Sequence, residues 1–412
     1  MERRMRVGVV YGGRSGEHEV SLRSAASIVA ALDPARYEVV PVAITKDGRW
    51  LTGPESLKVL EAAQRDLAPI PEHGSEVTLP ADPTRHGLLP LGHGEATPLD
   101  VVFPVLHGTY GEDGTIQGLL ELADLPYVGA GVLASAAGMD KAIMKSVFRD
   151  AGIPVCRWLV ARIGAEEPHA LAQRVGTALG YPCFVKPANL GSSVGITKVK
   201  EPAGLAAAVA EAGAYDPKLV IEEAIDGREF ECAVLGNDAP QASVVGELVP
   251  SREFYDYADK YVEQGAEIVI PARIPPETSD AMRALALRAF RAIDCSGLAR
   301  VDFFLERGGR VVVNEINTMP GFTAISMYPK LWEASGLPYP ALVDRLIALA
   351  LERHAARGKR RLSFTPPAPA MPTRDSVSAR GRTARVLPGE QDGVPRPAKA
   401  GAADFPERDA RP

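Results

Sequence analysis

Arg6-Val7-Gly8-Val9-Val10-Tyr11-Gly12-Gly13-Arg14-Ser15-Gly16-Glu17-His18-Glu19-Val20-Ser21 is the stretch from which the architecture can be read. Arg6 to Tyr11 is a valine-rich apolar run of strand length and reads as a buried strand. The small and polar residues Gly12 to Glu19 read as a loop. Val20 to Leu32 has helical character and stops at Asp33-Pro34, as expected where proline disfavours helical geometry in the residue before it. Tyr37 to Ile44 supplies a second strand. Strand, helix and strand in close succession make a βαβ unit, the signature of a parallel α/β sheet. Val101 to Leu106 reads as a further buried strand, leading into His107-Gly108 and Gly111-Glu112-Asp113-Gly114. Residues 50 to 98, richer in Pro, Gly, His and Glu, are expected to decorate the sheet with a helix and a hairpin.

A different region begins at Met139. It holds a helix ending near Gly152, strands at Pro182–Lys186 and Ile196–Val199, and a helical stretch from Ala203 to Ala212. More strands follow at Leu219–Glu223, Phe230–Leu235 and Ser243–Leu248, and residues 277 to 294 and 339 to 357 carry amphipathic helical periodicity. Beyond Gly358 the composition turns to Pro, Arg, Ala and Gly with few large apolar residues, which cannot make a core, so 359 to 412 is expected to be a disordered tail.

At 412 residues the chain exceeds one ordinary domain, and its 46% hydrophobic and 24% charged content is that of a globular protein. A net charge of −6 argues against nucleic acid or an anionic membrane as the main partner. The four cysteines, Cys156, Cys183, Cys232 and Cys295, are scattered singly, as in a reducing cytosol. The apolar stretch Val7 to Tyr11 is too short for a signal-peptide core and no run approaches a membrane span, so a cytoplasmic, unanchored protein is expected.

The chemistry concentrates at Arg300-Val301-Asp302 and at Asn314-Glu315-Ile316-Asn317-Thr318-Met319-Pro320-Gly321. Both read as strands, in which side chains two apart share a face, so Arg300 pairs with Asp302 and Glu315 with Asn317. On the second strand the apolar phase is carried by Val311 and Val313, and that face is expected to turn polar at Glu315 and Asn317. Asp, Glu and Asn oxygens suit Mg²⁺ or Mn²⁺, which are commonly shared with substrate phosphates. The plainer alternative is a polar strand end beside a Pro-Gly turn.

Other segments carry weaker signals. Phe184-Val185-Lys186-Pro187 followed by Gly191-Ser192-Ser193-Val194-Gly195 joins a strand, a lysine and a small-residue loop that could cradle phosphate; an ordinary glycine-rich hairpin reads the same way. Gly129-Ala130-Gly131-Val132-Leu133-Ala134 fits the loose dinucleotide pattern, but no βαβ unit with a placed acidic residue follows it. Leu219 to Ile225, with Glu222 and Glu223 and then Glu229, could line an adenine and ribose pocket or present surface carboxylates. Phe254-Tyr255-Asp256-Tyr257-Ala258-Asp259-Lys260-Tyr261 is an aromatic and charged stretch without a period, either a mobile lid or packed tyrosines.

Taken together, the segments resemble the D-alanine–D-alanine ligase family of the ATP-grasp superfamily across most of residues 5 to 355. The motifs that carry the resemblance are Gly12 to Ser21, Leu106-His107-Gly108 with Gly111 to Gly114, Met139-Asp140-Lys141, Gly191 to Gly195, Tyr255-Asp256-Tyr257 with Lys260-Tyr261, and Asn314 to Thr318. The resemblance implies an α/β and α+β fold with three parts. The first is an N-terminal Rossmann-like parallel α/β substrate domain at 1–137, with the 50–98 insertion. The second is an ATP-grasp domain at 138–358, split into a central lid subdomain (138–215) and a metal and catalytic subdomain (216–358). The third is the disordered tail from 359. It also implies ATP-dependent ligation of two D-alanines through an acylphosphate, for peptidoglycan precursor synthesis.

The resemblance further implies roles for individual residues. Asp302, Glu315 and Asn317 would hold two Mg²⁺ (or Mn²⁺) ions, and Arg300 and the Gly321 N–H would stabilise the reacting oxygens. Lys141 and Lys186 would bind ATP phosphates, with Ser192, Ser193 and Asn314 also at the cofactor. Glu222, Glu223, Ala224, Ile225 and Glu229 would surround adenine and ribose. Glu17 would take the first substrate's ammonium and join Ser192 and Tyr261 in a hydrogen-bonded chain that latches the lid. Lys260 and Ser326 would contact phosphate and the second substrate's carboxylate, with His107 nearby. A homodimer through the N-terminal domain is expected, as is an amine rather than D-lactate as nucleophile, since Tyr261 and Lys260 keep the dipeptide-forming lid. Two competing readings remain: a related ligase for another amino acid, and a nucleotide-binding regulator without turnover.

Overall fold

In the computed structural model the described residues are 3–63, 70, 74–250, 266–323, 325–361 and 364. The aromatic stretch 254–261, with Lys260 and Tyr261, lies outside them, as does most of the expected tail. Residues through Arg360 form one compact unit built on three sheets.

The first sheet grows from the expected βαβ unit. Strand β1 (Met5–Gly12) pairs in parallel with β2 (Tyr37–Ile44) and with β7 (Val101–Val105), and helix α1 (His18–Ala31) bridges β1 and β2. Apart from the half-buried Val39, the valines and isoleucines of these strands are buried on both faces, as a parallel sheet covered by helices requires. The 50–98 segment does more than decorate. Besides helix α2 (Pro54–Ala63) it gives β3 (Trp50–Thr52), β4 (Ser75–Thr78), β5 (Gly87–Pro90) and β6 (Thr97–Pro98), which extend the sheet antiparallel to order β6-β5-β4-β3-β2-β1-β7.

After α3 (Thr115–Leu122) and α4 (Val132–Met139), Asp140 caps α5 (Lys141–Asp150): its carboxylate accepts from the Ala142 and Ile143 N–H groups at 3.1 and 3.0 Å. Lys141 is thereby fixed at the head of a helix. The second sheet, order β10-β9-β11-β8, is antiparallel and comprises β8 (Trp158–Arg162), β9 (Cys183–Pro187), β10 (Thr197–Val199) and β11 (Lys218–Glu223), backed by α6 (Pro168–Ala178) and α7 (Leu205–Gly213). Strands β9 and β10 pair as a hairpin whose connection is the Gly191–Gly195 loop.

The third sheet, order β14-β13-β12-β15-β16, is also antiparallel: β12 (Gly227–Gly236), β13 (Gln241–Pro250), β14 (Ala266–Val269), β15 (Gly297–Glu306) and β16 (Val311–Asn317). Helix α8 (Pro276–Ala292) covers one face; α9 (Met327–Ala334) and α10 (Tyr339–Arg357) complete the order. A single apolar cluster runs from Val7, Phe103 and Val105 of the first sheet to Phe322, Tyr328, Leu342 and Leu346. Phe322 sits at its centre, edge-on to Phe103 at 6.1 Å and against Tyr328 at 5.3 Å. The turn after β16 is therefore packed against the end of β7, which brings the two sequence regions of interest together.

Candidate active site

Strands β15 and β16 face each other in register, Arg300 with Asn317 and Asp302 with Glu315, then shift between Asp302 and Phe303 so that Phe303 meets Val313. Asn314 is the extra residue of a β-bulge. This corrects the expected phase. The apolar face of β16 is Val311, Val313 and, across the bulge, Ile316, which pack into one cluster with Val301 and Phe303. Glu315 and Asn317 do not continue that face. The bulge turns them to the opposite one, beside Arg300 and Asp302.

On that face Arg300 holds Asp302 by two hydrogen bonds, Nε to Oδ1 and Nη2 to Oδ2, each 2.7 Å. Asn317 Nδ2 donates to Asp302 Oδ2 at 3.0 Å. Glu231, opposite Asp302 on β12, brings an oxygen to 3.0 Å from Arg300 Nε. Burial alone would lower the arginine's pKa; the carboxylates of Asp302 and Glu231 outweigh it and raise it well above the ordinary value. A permanent, fixed cation results.

Three lysines approach the same region. Lys141 Nζ donates to the Leu190 carbonyl at 2.9 Å and lies 3.5 Å from a Glu315 oxygen. Lys186 on β9 pairs with Glu222 on β11 at 2.7 Å, and Lys145 reaches the other Glu222 oxygen at 3.1 Å. Burial would raise the Glu222 carboxyl, but Lys145 and Lys186 outweigh it and hold it down at about 2. Glu223 alternates to the other side, where its carboxylate takes the Arg157 N–H at 2.8 Å and Nε at 2.6 Å. Ala224 and Ile225 lie half-buried just beyond β11, and Glu229 lies across the ladder from Phe304, on the Glu231 and Asp302 face.

Glu17 stands at the head of α1, where the first βα loop opens. The Ser192 hydroxyl donates to it from the β9–β10 connection, 175 residues away in sequence. Two glycines make room for the carboxylate: a Cβ on Gly108 would lie 2.5 Å from Glu17 Oε2, and one on Gly191 2.7 Å. Ser192 and Ser193 have φ of +51° and +59°, a left-handed backbone that residues with a Cβ rarely adopt and that clusters at functional sites. His107 is buried beneath, Nδ1 3.0 Å from the Met319 carbonyl oxygen and Nε2 2.9 Å from Ser24 Oγ, and burial lowers its pKa against the pull of Glu17. Both ring nitrogens are engaged, Nδ1 with the turn after β16 and Nε2 with α1.

Glu112 accepts from the N–H groups of Gly108 at 2.8 Å and Met319 at 3.1 Å, and burial, then the charge of Glu17, push its carboxyl up to about 8. Ser326 Oγ shares a 2.7 Å hydrogen bond with Thr323 and would meet a Cβ on Gly321 at 2.9 Å.

Sequence reasoning missed Glu231, Lys145 and the clamp made by Glu112. The alternation of β12 could have exposed Glu231, since Glu229 and Glu231 share a face two apart. Lys145 lies four residues after Lys141, on the same helix face.

The donor set suits a hard divalent cation. Among the described residues no three His, Cys, Asp or Glu side chains form a metal-holding cluster. The set offered is two carboxylates and an amide oxygen, of the kind completed by phosphate oxygens and water. Their common face and adjacent register satisfy what such sharing requires. A fixed arginine, a face of hard oxygen donors, buried lysines and a small-residue loop are the features an ATP-dependent ligase would need.

Comparison with known proteins identifies the family. The profile described as "D-ala D-ala ligase N-terminus" matches residues 6–130, and "D-ala D-ala ligase C-terminus" matches 147–348. The D-alanine–D-alanine ligase of Geobacillus kaustophilus is 50% identical over 368 residues, covering 87% of this chain and 98% of that protein. Among solved structures, the D-alanine-D-alanine ligase of Coxiella burnetii superposes with a TM-score of 0.75 at 40% identity, covering 87% of this chain and 97% of that one. The VanG D-Ala:D-Ser ligase of Enterococcus faecalis superposes with a TM-score of 0.75 at 36% identity, covering 84% and 100%. The chain belongs to the D-alanine–D-alanine ligase family.

Proposed function

We propose that the chain joins two D-alanines on the shared face of β15 and β16. The overall reaction, ATP-dependent ligation of D-alanine to D-alanine for peptidoglycan synthesis, is that of its family, and it uses ATP and a divalent metal. The first D-alanine carboxylate takes the γ-phosphoryl group of ATP, giving an acylphosphate and ADP. The amine of the second D-alanine attacks the acyl carbon, loses a proton, and phosphate leaves.

Both steps build negative charge on oxygens, so the protein's contribution is positioning and electrostatic stabilisation. Arg300, kept charged by its carboxylate neighbours, faces the developing charge, with the Gly321 N–H as a second donor. Lys141 and Lys186 bind ATP phosphates, with Ser192, Ser193 and Asn314 beside them. Glu222, Glu223, Ala224, Ile225 and Glu229 frame adenine and ribose. Glu17 takes the first substrate's ammonium, and Ser326 and His107 border the second substrate. Lys260 and Tyr261, outside the described residues, are assigned to phosphate and to the lid latch on sequence grounds. Asp302, Glu315 and Asn317 would hold two Mg²⁺ or Mn²⁺ ions, which neutralise phosphate charge when bound.

The observation that carries this reading is the face on which the bulge gathers Arg300, Asp302, Glu315 and Asn317. Among the described residues no helix is long and apolar enough to cross a membrane. A cytoplasmic homodimer, without nucleic-acid or membrane partners, completes the proposal, and light scattering after size exclusion would read the dimer. The deciding experiment supplies ATP, Mg²⁺ and D-alanine near neutral pH, with and without excess D-lactate or D-serine, and identifies products by mass spectrometry. D-Alanyl-D-alanine with matching ADP and phosphate is expected. A dominant D-lactate or D-serine product would overturn the second-substrate assignment, and ATP binding without turnover would favour a regulator.

A further inference from the structure

We infer that Lys145, fully buried among protein groups, is a positioning residue that pins the Asn314 bulge and the Glu222 carboxylate to one buried ammonium, and so sets metal-ligand and nucleotide groups together. The inference rests on the metal assignment above and goes beyond it to a residue that touches no ligand.

Lys145 is fully buried on α5, one turn beyond Lys141. Its Nζ lies 3.1 Å from the Asn314 carbonyl oxygen, 3.1 Å from Glu222 Oε1 and 3.4 Å from Cys156 Sγ. An ammonium has three hydrogens and no acceptor; two hydrogen bonds go to Asn314 and Cys156, and Glu222 Oε1 is held beside it as an ion pair. A lysine so placed is spent on the protein.

What it holds decides the inference. Asn314 is the residue that breaks the alternation of β16; without the bulge, Glu315 and Asn317 would turn toward the apolar face of Val313 and Ile316, away from Arg300. Its carbonyl accepts from Lys145, so the kink that creates the ligand face is tied to α5. The other tie is to Glu222, whose second oxygen orients Lys186 at 2.7 Å. Lys145 therefore links a strand bearing metal ligands to one bearing nucleotide groups. The Asn314 contact spans 169 residues of sequence. A neutral side chain of equal size would fill the space, yet leave the bulge carbonyl and one Glu222 oxygen without their cation.

The test uses the full-length chain with Lys145→Met, Lys145→Gln and Glu315→Gln. Folding is read by circular dichroism melts, Mn²⁺ binding by the loss of free-ion EPR signal with and without ATP, and kinetics as separate KM and kcat values. Folded K145M should bind Mn²⁺ about 10- to 100-fold more weakly, the range expected when a residue supporting metal ligands is lost. Its KM for ATP should rise by a comparable factor, while KM for the first D-alanine, held on the Glu17 side, stays near wild type. A purely structural role would lower the melting temperature without this selective pattern.

Wild-type Mn²⁺ and ATP affinities in folded K145M overturn the inference. If K145M does not fold, K145Q is judged by the same two affinities, and failure of both to fold also overturns it, since Lys145 would then be a requirement of folding. E315Q separates the two levels: wild-type Mn²⁺ binding there sinks the metal assignment itself, whereas weak binding in E315Q beside normal binding in K145M sinks only the role of Lys145.

Discussion

Arg300 Nε lies 3.0 Å from an oxygen of Glu231, so the guanidinium that clasps Asp302 has a second carboxylate at its back. Asp302 is also a proposed metal ligand, and ligation would draw on the same oxygens that Arg300 now occupies. Glu231, 5% exposed, remains as the arginine's counter-charge whatever Asp302 does. Removing one partner of a buried pair costs about 3–5 kcal/mol where nothing compensates; Asp302 compensates in part. Glu231→Gln is therefore expected to lower kcat by roughly 10- to 100-fold, about 1.4 kcal/mol per factor of ten, with a smaller change in KM for ATP. Steady-state kinetics check it, and a kcat within about twofold of wild type would remove Glu231 from the mechanism.

Gly108 and Gly191 wall the Glu17 carboxylate from two sides. Adding a methyl at either would force Glu17 aside or break its hydrogen bond from Ser192. At Gly108 a φ of +71° adds backbone strain, which complicates that variant. Gly191→Ala is cleaner and should raise KM for the first D-alanine by about tenfold or more, as expected when a charged hydrogen bond of about 1.5–3 kcal/mol is lost. KM for ATP should barely move. Equal rises in both constants would show that Glu17 is not a D-alanine contact.

How much of this was legible in the sequence depended on the range of the signal. The β1–α1–β2 unit was readable because valine runs, a helix and Asp33-Pro34 are local signals, and its bounds moved by only a few residues. The strands at 227–236, 241–250 and 297–317 were readable in kind. The pairing of β3 to β6 was not, because such short strands take their partners from the sheet beside them. The Asn314 bulge was invisible, since Val311, Val313, Glu315 and Asn317 mimic unbroken alternation and only the ladder shows the slip. Lys145 and Glu231 went unnoticed because their partners, Asn314 and Arg300, lie far along the chain. Family motifs supplied most of the candidate residues instead.

Glu222 makes the acid stability of the protein a readable quantity. Its carboxyl is held at about 2 in the folded chain, against 4.5 ordinarily. A group with a lowered folded pKa binds fewer protons folded than unfolded, so its contribution is present above about pH 4.5 and is lost as pH falls toward 2. Glu222→Gln should lower stability near neutral pH by a few kcal/mol, because Lys145 and Lys186 lose their counter-ion. The gap from wild type should close as the pH drops through that window. Urea midpoints measured across pH 2 to 7 test it, and parallel curves for the two proteins would contradict the pairing.

Glu315 offers the sharpest separation of chemistry from folding. Its side chain is 24% exposed, on an edge strand whose apolar face is carried by Val313 and Ile316, so truncation leaves the core contacts of β16 intact. Lys141, 3.5 Å away, can be rehydrated when the carboxylate is gone. Stability should therefore change by about 1 kcal/mol or less, as for partly exposed substitutions generally. Turnover is a different matter. As a proposed ligand on the face shared with Asp302 and Asn317, Glu315 has no substitute among the described carboxylates at that register, and Glu315→Ala should lose more than about 100-fold in kcat. The measurement pairs phosphate release under saturating ATP, Mg²⁺ and D-alanine with a thermal melt of the same sample. Near-normal release from a folded variant would mean that the cation is held elsewhere and that the β15–β16 face does not carry the reaction.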